Sequence, residues 1–301
     1  SIYYFSKEIF YSDIVENMDD VSLKDDTDAR GTLGWFKPQD SSGVILGSLD
    51  SEDYFMNYPK RGKCLIFNHK MFESHTGLNK RNGTDADSAR LYVRFRELGF
   101  DAKVYTDLKV KEVQKELQKI GKEDHTEYSC FVCCILSHGE QGIIYAADGH
   151  YKTEHLFAPF RGDVCPTLAG KPKMFFIQAC QGDRLDSGVS LQSKESSDSD
   201  TNQRNLRIPT HADFLIVYST VPGFYSWRNT TNGSWFVQSL SAALQKHAYD
   251  KDILQILTIV NRRVAYDFES FTPQDANMHL KKQVPCVTST LTKNVKFRPV
   301  Q

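Results

Sequence analysis

Compact apolar runs alternate with amphipathic stretches along most of this chain, and that alternation restricts it to an α/β fold. Cys64-Leu65-Ile66-Phe67 is the first run that reads as a buried strand, and an ordered region is expected to begin near Tyr54. Thr84 is placed to cap a helix whose apolar positions include Leu91, Phe95 and Leu98, with Gly99 as its stop. Residues 100–105 read as a strand, and Val110, Val113, Leu117 and Ile120 then recur at helical spacing before Gly121. Further strands are expected at 131–136, 173–179, 214–219 and 286–291, with long helices at 234–247 and 252–268. Strand–helix–strand order of this kind predicts a mainly parallel sheet flanked by helices.

Two segments break the pattern. Residues 1–50 carry ten acidic and four basic side chains without sustained periodicity, which reads as an acidic leader. Residues 183–205 are rich in serine and acids, with Leu185, Val189 and Leu191 as aliphatics, and read as a solvated linker. A long structureless segment inside a domain is a liability unless it moves or is cut.

Over 301 residues the net charge is −1, so neither nucleic acid nor an anionic membrane is an expected partner. No apolar segment approaches the roughly 20 residues needed to span a bilayer. The first residues lack a basic-then-apolar export pattern, so the expected location is cytoplasmic. The seven cysteines are an odd set, mostly inside apolar runs, and are expected to be reduced thiols.

One cysteine stands apart. Phe175-Phe176-Ile177-Gln178-Ala179-Cys180-Gln181-Gly182 is an apolar run that stops at a thiol. The run at 131–136 stops in the same way at Ser137-His138-Gly139. Strand ends that deliver Cys180 and His138 side by side would make a nucleophile and its proton partner. Taken alone, Cys180 also fits a buried structural cysteine. Cys130, Cys133, Cys134 and His138 invite a zinc site, but on a strand Cys133 faces away from the other three, so no metal or other cofactor is expected.

The Gln-Ala-Cys-Gln-Gly pentad, with a histidine upstream, matches the caspase signature. From about residue 58 to 297 the chain resembles caspases of the executioner type with a short prodomain, and Gln181 makes it similar to insect effector caspases and to some initiators, against which the short leader argues. The other motifs that carry the resemblance are Arg81-Asn82-Gly83-Thr84-Asp85, Ser137-His138-Gly139-Glu140, Gly170-Lys171-Pro172-Lys173 and Tyr225-Ser226-Trp227-Arg228-Asn229. The resemblance implies a caspase-like fold, a six-stranded sheet that dimerises through its edge strand, and a cysteine endopeptidase cleaving after aspartate in apoptosis.

In such a protease Cys180 attacks, His138 carries the proton, and the amides of Gly139 and Cys180 hold the oxyanion. Arg81, Gln178 and Arg228 would bind the substrate aspartate, although singly each arginine reads as a solvated surface charge. Tyr225 and Trp227 would wall the preceding position. Asn229, Trp235 and Phe271 would shape the pocket four residues before the cut, although Trp235 also suits a helix core. The stretch around Phe271 lacks phenylalanines usual in mammalian executioners, which implies a differently shaped pocket.

The resemblance further implies a zymogen with a removable prodomain (1–28), a flexible lead-in (29–57), a large subunit (58–198) and a small subunit (199–301). Cleavage is expected after Asp28, and in the linker after Asp198 or Asp200; Asp186 lies too near Cys180 to be cut. The implied partners are aspartate-containing protein substrates, a second copy of the chain, an upstream initiator caspase and inhibitor-of-apoptosis proteins. Two other readings remain: a catalytically dead caspase homologue acting as scaffold or decoy, and a metacaspase-like protease for basic residues. The two pocket arginines oppose the second of these.

Overall fold

The structure, a computed structural model, describes residues 51–188 and 212–299. Asp28, Asp198, Asp200 and most of the leader and linker lie outside the described residues. The described chain runs β1 (Lys60–Asn68), α1 (Thr84–Glu97), β2 (Asp101–Thr106), α2 (Val110–Gly121) and β3 (Tyr128–Leu136). A small meander follows, β4 (Gly139–Glu140), β5 (Ile143–Ala146) and β6 (Gly149–Lys152), and then one turn of helix, α3 (Glu154–Phe157). After β7 (Lys173–Gln178) and β8 (Phe214–Tyr218) come the short pair β9 (Arg228–Asn229) and β10 (Gly233–Ser234). Helices α4 (Trp235–His247) and α5 (Ile253–Asp267) and strand β11 (Cys286–Ser289) complete it.

Six strands form one sheet in the order β11-β8-β7-β3-β1-β2. All neighbours in it are parallel except β11, which runs antiparallel to β8 at one edge. The central strands are apolar on both faces because both faces are covered. Along β3, Cys130, Val132, Cys134 and Leu136 enter one layer with Leu91 and Phe95 of α1, Leu240 and Leu244 of α4, and Val260 of α5. The alternate residues Phe131, Cys133 and Ile135 enter the other layer with Val113 and Leu117 of α2 and with Phe157 and Phe160. The cysteines that suggested zinc are thereby split between the two apolar layers, Cys130 and Cys134 in one and Cys133 in the other. In the second layer Phe175 meets Phe131, Phe157, Phe160 and Phe214, with ring centroids 4.9–6.0 Å away.

Several local expectations shift. Gly83, not Thr84, is the N-cap of α1, in the left-handed region at φ 84°. The Thr84 hydroxyl is committed elsewhere, accepting from Arg81 and donating to Asn68 at 2.7 Å each. Gly121 closes α2 without a left-handed turn; an added Cβ there would sit 2.5 Å from the Pro159 carbonyl, so close approach explains it. The final strand is shorter than 286–291. Residues 51–57 of the lead-in are pinned rather than flexible: Asp53 bridges to Asn294, and Tyr54 is buried with its hydroxyl donating to Asp213 at 2.6 Å.

Candidate active site

Strands β3 and β7 are direct parallel neighbours, with Leu136 level with Gln178. Each chain leaves its strand at the same end of the sheet, and His138 and Cys180 are each two residues beyond that level. This is the carboxyl end, where open α/β sheets place their ligands. The two exits stay close: Ser137 N donates to Gln178 O at 3.1 Å. A Cβ on Gly139 would meet the Ala179 Cβ at 2.9 Å and the Cys180 carbonyl at 3.0 Å, so glycine permits the approach.

The His138 Nε2 donates to the Asn79 carbonyl at 2.8 Å, while its ring lies 4.9 Å from that of Phe72. A carbonyl only accepts, so this bond places the proton on Nε2 and leaves Nδ1 free to take one. Burial drives the imidazole pKa down to about 4; the Asn79 bond opposes this, and Arg81 and Arg228 reinforce it. The resting histidine is therefore neutral at pH 7.

Cys180 Sγ accepts from Ser226 N at 3.4 Å. Burial pushes its pKa up, against the pull of that amide and of Arg81 and Arg228. Both groups are therefore neutral at pH 7.

Arg81 is 0% exposed. Its Nη1 donates to His69 O at 2.9 Å and to Thr84, but Nε and Nη2 have no partner among the described residues. Burial, reinforced by the nearby Arg228, lowers its pKa to about 9. Gln178 is buried, donates to Ser226 Oγ at 2.8 Å, and has no partner for Oε1 among the described residues. Arg228 Nε donates to Asn82 O at 2.8 Å. Buried N–H groups left unpaired are costly, and Arg81 keeps two of them beside a second guanidinium close enough to lower its pKa. Neither arginine is the solvated surface charge that each suggested singly.

The aromatic residues divide. Tyr225 is partly exposed, 5.2 Å from the buried Trp227 ring; Trp227 stacks on Trp235 at 5.7 Å, and Trp235 on Phe268 at 5.5 Å. Trp235 is thus both core and the backing of Trp227. The Asn229 side chain closes its own turn, accepting from Thr231 and Asn232. Phe271 is 81% exposed, and its ring contact is His279, not this aromatic row.

A family model described as a caspase domain matches residues 61–296. Caspase-1 of Spodoptera frugiperda is 46% identical over 287 residues, covering 93% of this chain and 95% of that protein. Caspase-7 of Gallus gallus is 51% identical over 247 residues, covering 81% of this chain and 79% of its own. The crystal structure of Caspase-1 from Spodoptera frugiperda superposes with a TM-score of 0.79 at 47% identity, over 86% of this chain and 98% of that one. The chain belongs to the caspase family. It is an aspartate-specific cysteine protease of the executioner type, acting in apoptosis, in a family whose members are made as zymogens.

In this caspase several supporting residues had no role assigned from the sequence, although Ser226 lies within the motif at 225–229. Ser226 links Gln178, Ser219 and Gln283 by hydroxyl contacts of 2.8–3.4 Å and gives its amide to Cys180. Gln283 accepts from Trp227 N at 2.6 Å. Asp87, buried on α1, accepts from Ser234 N at 2.9 and 3.0 Å, and burial raises its pKa to about 6. Polar residues far apart in sequence meet here, and only the folded chain reveals them. The Asp186 carbonyl accepts from Lys282 N at 2.8 Å, which holds that peptide in a bridge. Among the described residues no helix is long and apolar enough to cross a membrane.

Proposed function

We propose that Cys180 is the nucleophile, His138 its proton carrier, and Arg81, Gln178 and Arg228 the pocket for the substrate aspartate. The observation that carries this reading is Arg81, a guanidinium wholly removed from solvent with two unpaired nitrogens. A planar carboxylate fits such a fork, and a basic side chain is repelled by it. Sγ bonds to the scissile carbonyl carbon as its proton passes to His138 Nδ1, and the amides of Gly139 and Cys180 hold the resulting oxyanion. His138 gives the proton to the departing amine, then takes one from the water that hydrolyses the thioester. Tyr225 and Trp227 wall the preceding position; Trp235 supports Trp227, while Asn229 and Phe271 border the pocket four residues before the cut.

The same reading assigns removal of 1–28 to cleavage after Asp28, and separation of a large (58–198) from a small (199–301) subunit to cleavage after Asp198 or Asp200. An initiator caspase makes these cuts, inhibitor-of-apoptosis proteins oppose the product, and two copies pair through β11, in the cytoplasm. Hydrogen bonding of the Asp186 carbonyl supports the view that this nearer aspartate is spared. The test compares peptides differing only by Asp or Asn before the scissile bond. Wild type is expected to cleave the Asp peptide alone, and Cys180→Ala neither. Robust turnover by Cys180→Ala, or equal cleavage of both peptides, sinks the assignment.

A further inference from the structure

The segment that leaves Cys180 is zipped onto the turn that leads into Tyr225. Gln181 N donates to Phe224 O at 3.0 Å, Gly223 N to Gln181 O at 2.7 Å, Arg184 N to Gly223 O at 3.1 Å, and Tyr225 N to Arg184 O at 2.8 Å. Laid over this zipper is one side chain. Arg184 donates from Nε to Gly223 O at 3.2 Å and from Nη2 to Pro222 O at 3.1 Å, and its Cζ lies 4.6 Å from the Phe224 ring centroid. Gly223 is left-handed at φ 87°, and a Cβ there would lie 2.1 Å from Arg184 Nη2. The turn is therefore shaped around the guanidinium.

An exposed arginine is ordinarily a solvated charge, but this one has spent its fork on two carbonyls and its plane on an aromatic face. No ion pair to a carboxylate involves it among the described residues. The next residues in the turn are Tyr225, a pocket wall, and Ser226, whose amide reaches Cys180 Sγ. We infer that Arg184 is a positioning residue for substrate binding: its guanidinium clamps 222–224 so that Tyr225 stands at the pocket, while Ser226 is held separately by Gln178, Ser219 and Gln283. The clamp acts on the wall of the site and not on the reacting atoms, so it controls KM and leaves kcat nearly unchanged.

This inference rests on the aspartyl-peptidase reading, and the experiment separates the two. In the processed enzyme, Arg184→Ala is expected to raise KM for an aspartyl peptide about tenfold, with kcat within about twofold of wild type. Alkylation of Cys180 by iodoacetamide stays at the wild-type rate. Arg184→Lys keeps the charge but loses fork and plane, and is expected to resemble Arg184→Ala. Phe224→Ala raises KM similarly, and the double variant is no worse than either single one. Independently of turnover, hydrogen exchange at the amides of Gly223 and Tyr225 quickens in Arg184→Ala. Unchanged KM and exchange in Arg184→Ala, a wild-type KM in Arg184→Lys, or additive effects in the double variant would overturn the clamp. A wild-type enzyme inert toward aspartyl peptide would instead overturn the peptidase reading, and exchange would still decide the clamp.

Discussion

Arg81 is a charge with an unfinished set of hydrogen bonds, and its chemistry cannot be copied by lysine. Arg81→Lys is expected to lower kcat/KM for an aspartyl peptide at least about 100-fold, because a point charge loses the forked contact. Steady-state kinetics at fixed pH check this. Two nearby histidines make a second prediction. Burial holds both His69 and His138 near pKa 4, whereas an unfolded histidine titrates near about 6.5. Between these values the unfolded chain binds more protons, so stability falls as pH drops from about 6.5 toward 4. Asp87, raised to about 6 by burial, works the other way: below that pH the folded chain holds a proton that an unfolded aspartate releases until about 3.9. Two histidines outweigh one aspartate, so the urea midpoint is expected to be lower at pH 5 than at pH 7. His69→Gln is expected to flatten that dependence, and a midpoint that rises on acidification contradicts it. The placement of Cys180 and His138 at the ends of neighbouring strands was legible in the sequence because each follows an apolar run. The buried state of Arg81 was not, because nothing local distinguishes an arginine that will be enclosed from one that will be solvated.

At the scale of elements, helix α4 starts on Ser234, whose side chain accepts from Val237 N at 3.2 Å while its own amide is tied to Asp87. Ser234→Ala is expected to cost about 1 kcal/mol of stability, read by denaturant titration. Gly83 carries a heavier demand. It is left-handed, and a Cβ there would lie 2.3 Å from the Asn229 carbonyl, in the loop that bears Arg228. Gly83→Ala is therefore expected to lower stability and to weaken peptide binding together, whereas Ser234→Ala lowers stability with little change in KM. The long helices were readable because their apolar faces recur over three or four turns, and the strands because both faces of the sheet are covered. The meander of β4 to β6 was missed since strands of two to four residues give no period to count. Thr84 misled for a different reason: its hydroxyl serves Arg81 and Asn68, a demand set by tertiary contacts rather than by the helix end.

For the molecule as a whole, the sheet ends on β11, half-buried and paired, among the described residues, on one side only, with β8. That open edge is expected to pair with its mate in a second copy, so sedimentation at micromolar concentration should report a dimer; a monomer alone contradicts it. A variant with Asp198→Ala and Asp200→Ala is expected to remain one chain with far lower peptide turnover than the processed enzyme. Equal turnover would remove the linker from the control of activity. The linker lies between β7 and β8, which are hydrogen-bonded neighbours, and α1 from before it shares a core layer with α4 and α5 from after it. A cut there divides the polypeptide without dividing the sheet. The gene itself could accordingly be split: two open reading frames, one ending at 198 and one starting at 199, are expected to yield insoluble products apart and an active enzyme when co-expressed. Each half would present to the other the strand edge and apolar face that the intact chain covers, so the two are expected to recognise each other as separate subunits do.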